Sequence, residues 1–172
     1  IQVGFGRSGK MFCCEHDGIR PDMYILGKAM SGGMYPVSAV VADRQVMGVF
    51  DPGSHGSTFG GNPLAAVVAR EALQVLVDEN LTARSKELGA WFMDELRTID
   101  SPHVAEVRGR GLLIGVRLKP EAGGARSFCE RLKEQGMLCK ETHVDVIRLA
   151  PPLTIEKEEL EWALQRIRKV LC

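Results

Sequence analysis

The chain has 172 residues, enough for one ordinary domain or two small ones at roughly 100–200 residues each. Its 22 basic and 22 acidic side chains balance and mix along the sequence, so no nucleic-acid or membrane-surface footprint is written in its charge. Five cysteines and four histidines lack zinc or redox spacing, and no apolar run approaches the ~18 residues of a membrane span. The cysteines read as free thiols in a reducing compartment.

Gln2 opens the chain as an amide free to bond backbone, water or a ligand. Gly4-Phe5-Gly6-Arg7-Ser8-Gly9 then spells G-x-G-x-x-G. The dinucleotide reading of that pattern needs a strand before it and a helix opening inside it. Only three residues precede Gly4, and Gly18 and Pro21 break the stretch where the helix would run. The glycines are therefore expected to shape a tight loop near a site.

Met23 to Leu26 reads as a buried strand, ending in Gly27, the lone Lys28 and a Ser31-Gly32-Gly33 turn. A lysine after a core strand has two readings. It snorkels to water, or it is desolvated and becomes an amine nucleophile able to form a Schiff base. Pro36 to Ala42 is expected to be a second core strand, Asp43 to Phe50 a short helix, and Asp51-Pro52-Gly53 a turn.

In Ser54 to Pro63, glycines and hydroxyls lead to an Asn62 N-cap with Pro63 at the first helical position. Such a start favours a phosphate or is an ordinary turn; the loop itself has no Lys or Arg to decide. The following helix runs to about Glu79. Its wide stripe of Leu64, Val67, Val68, Leu73, Val75 and Leu76 predicts deep burial, and Asn80 ends it. A second amphipathic helix, about 81–99, sets Leu88, Trp91, Phe92 and Leu96 on one side.

Beyond it the pattern predicts a strand at 104–107, a turn at Arg108-Gly109-Arg110-Gly111 and a strand at 112–118. A helix at about 125–135, stopped by Gly136, precedes strands at 137–140 and 146–149. The last helix spans 156–170, with Thr154 as N-cap. Strands alternating with helices make the fold α/β. Arg108 and Arg110 read as a solvated turn rather than an anion site. Arg148, between Ile147 and Leu149, is either the outward residue of a half-buried strand or a guanidinium kept for a carboxylate.

Four ordered blocks, LGKAMSGGMYPVSAV at 26–40, HGSTFGGNPL at 55–64, VRGRGLL at 107–113 and THVDVIRLAPPL at 142–153, resemble the class III, ornithine-type aminotransferases. The resemblance covers essentially the whole chain. It implies a fold-type-I transferase: residues 1–80 as the C-terminal part of the large cofactor domain, and 81–172 as the small α/β domain with its bridging helix. It implies that Lys28 holds pyridoxal 5'-phosphate and moves a proton during turnover. It implies that Gln2 donates to the cofactor's phenolic oxygen and that Arg148 orients a substrate carboxylate. Thr58, with Ser57 as a weaker candidate, would reach the cofactor phosphate of the neighbouring subunit in a homodimer. The implied reaction passes the δ-amino group of ornithine to 2-oxoglutarate, in the cytoplasm or the mitochondrial matrix. Acetylornithine and 4-aminobutyrate aminotransferases would share Lys28, Thr58 and Arg148. In a different class stands a non-catalytic piece that only associates with a partner half. The aspartate expected before Ile1 and the glutamate partner of Arg148 are not in the chain, so it is expected to be the second half of a longer protein.

Overall fold

The computed structural model describes residues 1–172, and the fold is mixed α/β. The first twelve residues are a loop, followed by a 3-10 turn at Cys13–Asp17. The G-x-G-x-x-G stretch is followed by no α-helix. Gly6 and Gly9 take left-handed φ values of 84° and 80°, which turn the loop back on itself.

Strand β1 (Met23–Leu26) pairs antiparallel with β2 (Ala39–Ala42), from Met23 opposite Ala42 to Leu26 opposite Ala39. The expected burial of these strands is not found. Ile25 is 73% exposed, and Val40 and Val41 are exposed as well. The physical reason is that the sheet has only these two strands, so one face meets no third layer. Helix α1 (Arg44–Met47) is a single turn inside the stretch predicted to be helical.

Helix α2 (Pro63–Asp78) starts as the sequence predicts. Asn62 Oδ1 accepts from the Ala65 amide at 2.8 Å, and Pro63 occupies the first turn. Its stripe is not deeply buried, however. Only Ala65, Ala69 and Leu76 are inside, whereas Leu64, Val67 and Val77 are more than half exposed. Within this chain, α2 packs on the Lys28–Ser31 turn and on α3, which leaves its remaining face uncovered. Asn80, at φ 50°, reverses the chain between α2 and helix α3 (Leu81–Arg97).

Helix α3 buries Leu81, Ser85, Gly89, Phe92, Met93 and Leu96, a single stripe at three- and four-residue spacing. Strands β3 (Val104–Arg110), β4 (Leu113–Leu118), β5 (Lys140–Thr142) and β6 (Val146–Leu149) form an antiparallel sheet in the order β3-β4-β6-β5. The 108–111 turn is displaced: Arg108 to Arg110 continue the strand, and Gly111-Leu112 make the hairpin loop. Gly109 sits too tightly for a side chain, since a Cβ there would lie 2.5 Å from the Leu113 carbonyl oxygen, so the glycine serves cross-strand packing rather than turning. The strand expected at 137–140 begins only at Lys140.

Helices α4 (Arg126–Glu134) and α5 (Lys157–Leu171) complete the layer: α3 packs on β3 and β4, α4 on β5 and β6, and α5 against α3 and α4. Glu156, not Thr154, caps α5, because a turn closed by Ile155 N–H donating to Pro152 O carries the chain two residues further. The main core of 19 buried residues runs from Phe92 to Leu171; Phe5, Leu76 and Leu81 form a separate small cluster.

Candidate functional site

Lys28 opens a 3-10 turn directly after the buried, extended Gly27. Its own φ of 52° is left-handed, unusual for a residue with a side chain. The turn is held from inside by Ser31, which is 1% exposed: its hydroxyl donates to Tyr35 O and accepts from the Tyr35 amide at 3.3 Å. The Lys28 side chain is exposed, so the desolvation that would turn it into a nucleophile is not supplied by this chain. No acidic side chain pairs with it. It lies on the wall of an open groove of about 840 Å³, with Arg7, Glu71, Leu73, Pro152 and Leu153 among the lining.

Gln2 and Arg148, 146 residues apart in sequence, meet outside this groove. Arg148 Nη1 donates to Gln2 Oε1 at 3.4 Å, a long hydrogen bond that leaves the amide nitrogen of Gln2 uncommitted. Strand β6 presents Arg148 opposite Gly115 on β4 and Lys140 on β5, with Ile147 and Leu149 buried on either side. Arg148 is the one half-buried position of a strand whose other three residues are buried, and it has no carboxylate partner. Both readings of this arginine are thus compatible with its position.

The segment carrying Gln2 meets the Lys28 segment through the Gly27 backbone. A Cβ on Gly27 would lie 3.4 Å from Ile1 Cδ1, so the segment carrying Gln2 runs against the residue before Lys28. Pro152, Leu153 and Thr154, just beyond Arg148, line the same groove as Lys28. Gln2, Lys28 and Arg148 therefore gather on one side of the molecule, although they come from a loop, a 3-10 turn and a strand.

Thr58 and Ser57 are not brought to this place. Both are exposed in the loop ahead of α2, where Ser57 Oγ accepts from the Gly60 amide at 3.1 Å. Their hydroxyls face outward, while Asn62 already takes up the Ala65 and Ala66 amides at the start of α2. His143 and Val144 form a left-handed turn between β5 and β6, with Asp145 N–H bonded to His143 O at 2.7 Å. Arg7 was not singled out by sequence reasoning. Its only signal was a lone charge inside the glycine loop, yet it lines the groove and its guanidinium is held by two backbone carbonyls.

The Aminotransferase class-III family model matches residues 1–171. Ornithine aminotransferase of Bacillus subtilis strain 168 is 62% identical over 171 residues, 99% of this chain and 42% of that relative. The solved acetylornithine aminotransferase from Elizabethkingia anophelis is 47% identical, with a TM-score of 0.93 over 99% of this chain and 44% of its own. The ornithine aminotransferase from Toxoplasma gondii, solved with partial occupancy of PLP at its active site, is 46% identical, with a TM-score of 0.93 over 99% of this chain and 41% of its own. The chain thus spans less than half the length of each protein it resembles.

Proposed function

Since the chain belongs to the class-III aminotransferases, we propose that it carries the cofactor lysine and the acceptor-binding arginine of an ornithine δ-aminotransferase. The whole enzyme would pass the δ-amino group of ornithine to 2-oxoglutarate, giving glutamate 5-semialdehyde and glutamate. The observation that carries this reading is the meeting of Gln2 and Arg148 beside the Lys28 segment. We further propose a division near residue 80 between a large-domain part and a small domain.

The residues fit pyridoxal 5'-phosphate. Lys28 offers an unpaired primary amine on the wall of a largely apolar groove, and Gln2 offers an uncommitted amide nitrogen. When bound, the cofactor supplies an aldehyde for an amine and a ring that accepts the electron pair of a broken C–H bond. Lys28 would hold it, and within each half-reaction its freed amine would carry a proton from one carbon to another as general base and then acid. The Gln2 amide would donate to the phenolic oxygen. Arg148 would grip an acceptor carboxylate through two hydrogen bonds and fix which end of the dicarboxylate faces the lysine. Thr58, and Ser57 behind it, would donate to the phosphate of a second subunit's cofactor. Their outward exposure in a loop away from Lys28 supports that assignment.

An acetylornithine donor is the second reading, favoured by the Elizabethkingia anophelis structure at the same TM-score. A chimera tests both: residues 1–172 joined behind the N-terminal part of the Bacillus subtilis relative. It is expected to turn over ornithine well ahead of acetylornithine. Lys28→Ala should cut turnover by a factor on the order of 10³ or more, since an essential nucleophile and base is lost. Normal turnover in that variant would remove Lys28 from the site.

A further inference from the structure

We propose that Arg7 is a positioning residue that sets Arg148 against Gln2, an inference that rests on the acceptor-binding role of Arg148 proposed above. Arg7 lies five residues after Gln2, and its guanidinium Nη1 donates to two carbonyls: Leu112 O at 2.9 Å and Pro151 O. Pro151 is three residues after Arg148. One side chain thus fastens the segment carrying Gln2 to the strand end carrying Arg148.

The fastening is built into a tight joint. The Arg7 carbonyl accepts from the Leu112 amide at 3.0 Å and from Ser85 Oγ at 3.1 Å. Ser85, fully buried on α3, also receives the Leu112 amide at 3.2 Å. Around it the backbones touch. A Cβ on Gly111 would lie 2.6 Å from Arg7 O, and one on Gly9 would lie 2.9 Å from Lys86 Cβ. Displacement at Arg7 therefore has little slack to absorb it, and close packing transmits it along the chain in both directions. Burial without a carboxylate partner pulls the Arg7 guanidinium below its ordinary pKa, so this arginine is kept for its geometry rather than for a salt bridge.

An arginine is needed for a definite reason. A lysine ammonium ends one bond short of the Nη1 position, so from the same backbone it does not reach both carbonyls that Nη1 holds. Slack at Pro151 would let Arg148 drift from the place where it meets a carboxylate. A drift on the order of 1 Å in a positioning group costs up to ~100-fold in rate.

The test uses the active chimera and its KM for 2-oxoglutarate. Arg7→Lys is expected to raise that KM about tenfold or more, while the single-turnover rate with the amino donor stays within about twofold. Combined with Arg148→Lys, it should add nothing to the effect of Arg148→Lys alone, because both changes remove one function. Additive effects, or an unchanged KM in Arg7→Lys, would overturn the proposal. An Arg148→Lys enzyme with normal KM would instead sink the carboxylate role on which it rests. Should Arg7→Lys fail to fold, Ser85→Ala decides, since it removes from the same joint the two hydrogen bonds that Ser85 Oγ makes. A rise of about threefold in KM supports the proposal, and no rise overturns it.

Discussion

A lysine at φ 52° carries a backbone cost of roughly 1–2 kcal/mol, and Lys28 keeps it because Ser31 locks the turn from below. That fixes where the amine leaves the backbone while leaving the chain of methylenes free. Thr58 is the opposite case, an exposed hydroxyl with no local bond to satisfy. If it donates to a phosphate, Thr58→Ala in the chimera loses a hydrogen bond to a charged group, about 1.5–3 kcal/mol. The cofactor dissociation constant should rise about tenfold or more, and the rate of the loaded enzyme should change little. An unaltered dissociation constant speaks against a phosphate contact. Cys139 makes a prediction from its surroundings alone. Burial, with the neighbouring Cys129 thiol, pushes it up to about 12, so almost none of it is thiolate near neutrality. At pH 8, alkylation mapped by mass spectrometry should reach exposed Cys172 at least about tenfold faster than Cys139. The sign for stability follows. The folded state holds this proton more tightly than the unfolded state, so the contribution is whole below pH 9 and falls as pH rises from 9 towards 12. Equal labelling rates would contradict the buried environment. Lys28 and Arg148 stand out in one dimension as lone charges beside apolar residues, though that pattern alone leaves a solvated reading of each as open as a functional one. Arg7 does not stand out, because its partners Leu112 and Pro151 lie more than 100 residues away and are backbone atoms without a sequence signature.

Among the elements, α3 shows why some boundaries are readable and others are not. Its start, its stripe and the Asn62 cap of the preceding helix all follow from local chemistry that repeats every three or four residues. The hairpin after it does not, because Arg-Gly-Arg-Gly looks like a turn until the close approach of Gly109 to Leu113 is known. The burial of α2, β1 and β2 was misread for a related reason. Apolar spacing states which face seeks cover, not whether the cover lies within the same chain. Gly89 carries the element-scale prediction. In the middle of α3, alanine is the better helix former by about 1 kcal/mol. Yet a Cβ at 89 would lie 2.1 Å from the Gly111 carbonyl oxygen, and backbone cannot step aside as a side chain tip can. The clash should win, with Gly89→Ala lowering stability by roughly 1–3 kcal/mol in denaturant unfolding of the chimera. A stabilised variant would mean that α3 does not cross the β3–β4 turn so closely.

At the scale of the whole molecule, the two cores are unequal, and the inequality bears on activity. The 19-residue core is closed on itself, whereas the face made by β1, β2 and α2 leaves Ile25, Met34, Val49, Phe59, Leu64 and Val77 in water. Large apolar side chains left in water in such number mark a place where another layer belongs. The two-stranded sheet also keeps free edges that invite pairing with other chains. The two proposed site residues, Lys28 and Arg148, are also without an acidic partner in this chain. The 172 residues by themselves are therefore expected to bind an environment-sensitive apolar dye, to associate, and to form no detectable glutamate semialdehyde from ornithine, 2-oxoglutarate and added pyridoxal phosphate. Joined behind the N-terminal part of the Bacillus subtilis relative, the same residues should lose the dye signal and gain turnover, because the added layer covers the open face and supplies acidic groups near Arg148. Mass-confirmed 172-residue protein that turns over at the rate of the chimera would show that the open face needs no cover and that Lys28 and Arg148 act without help from outside the chain.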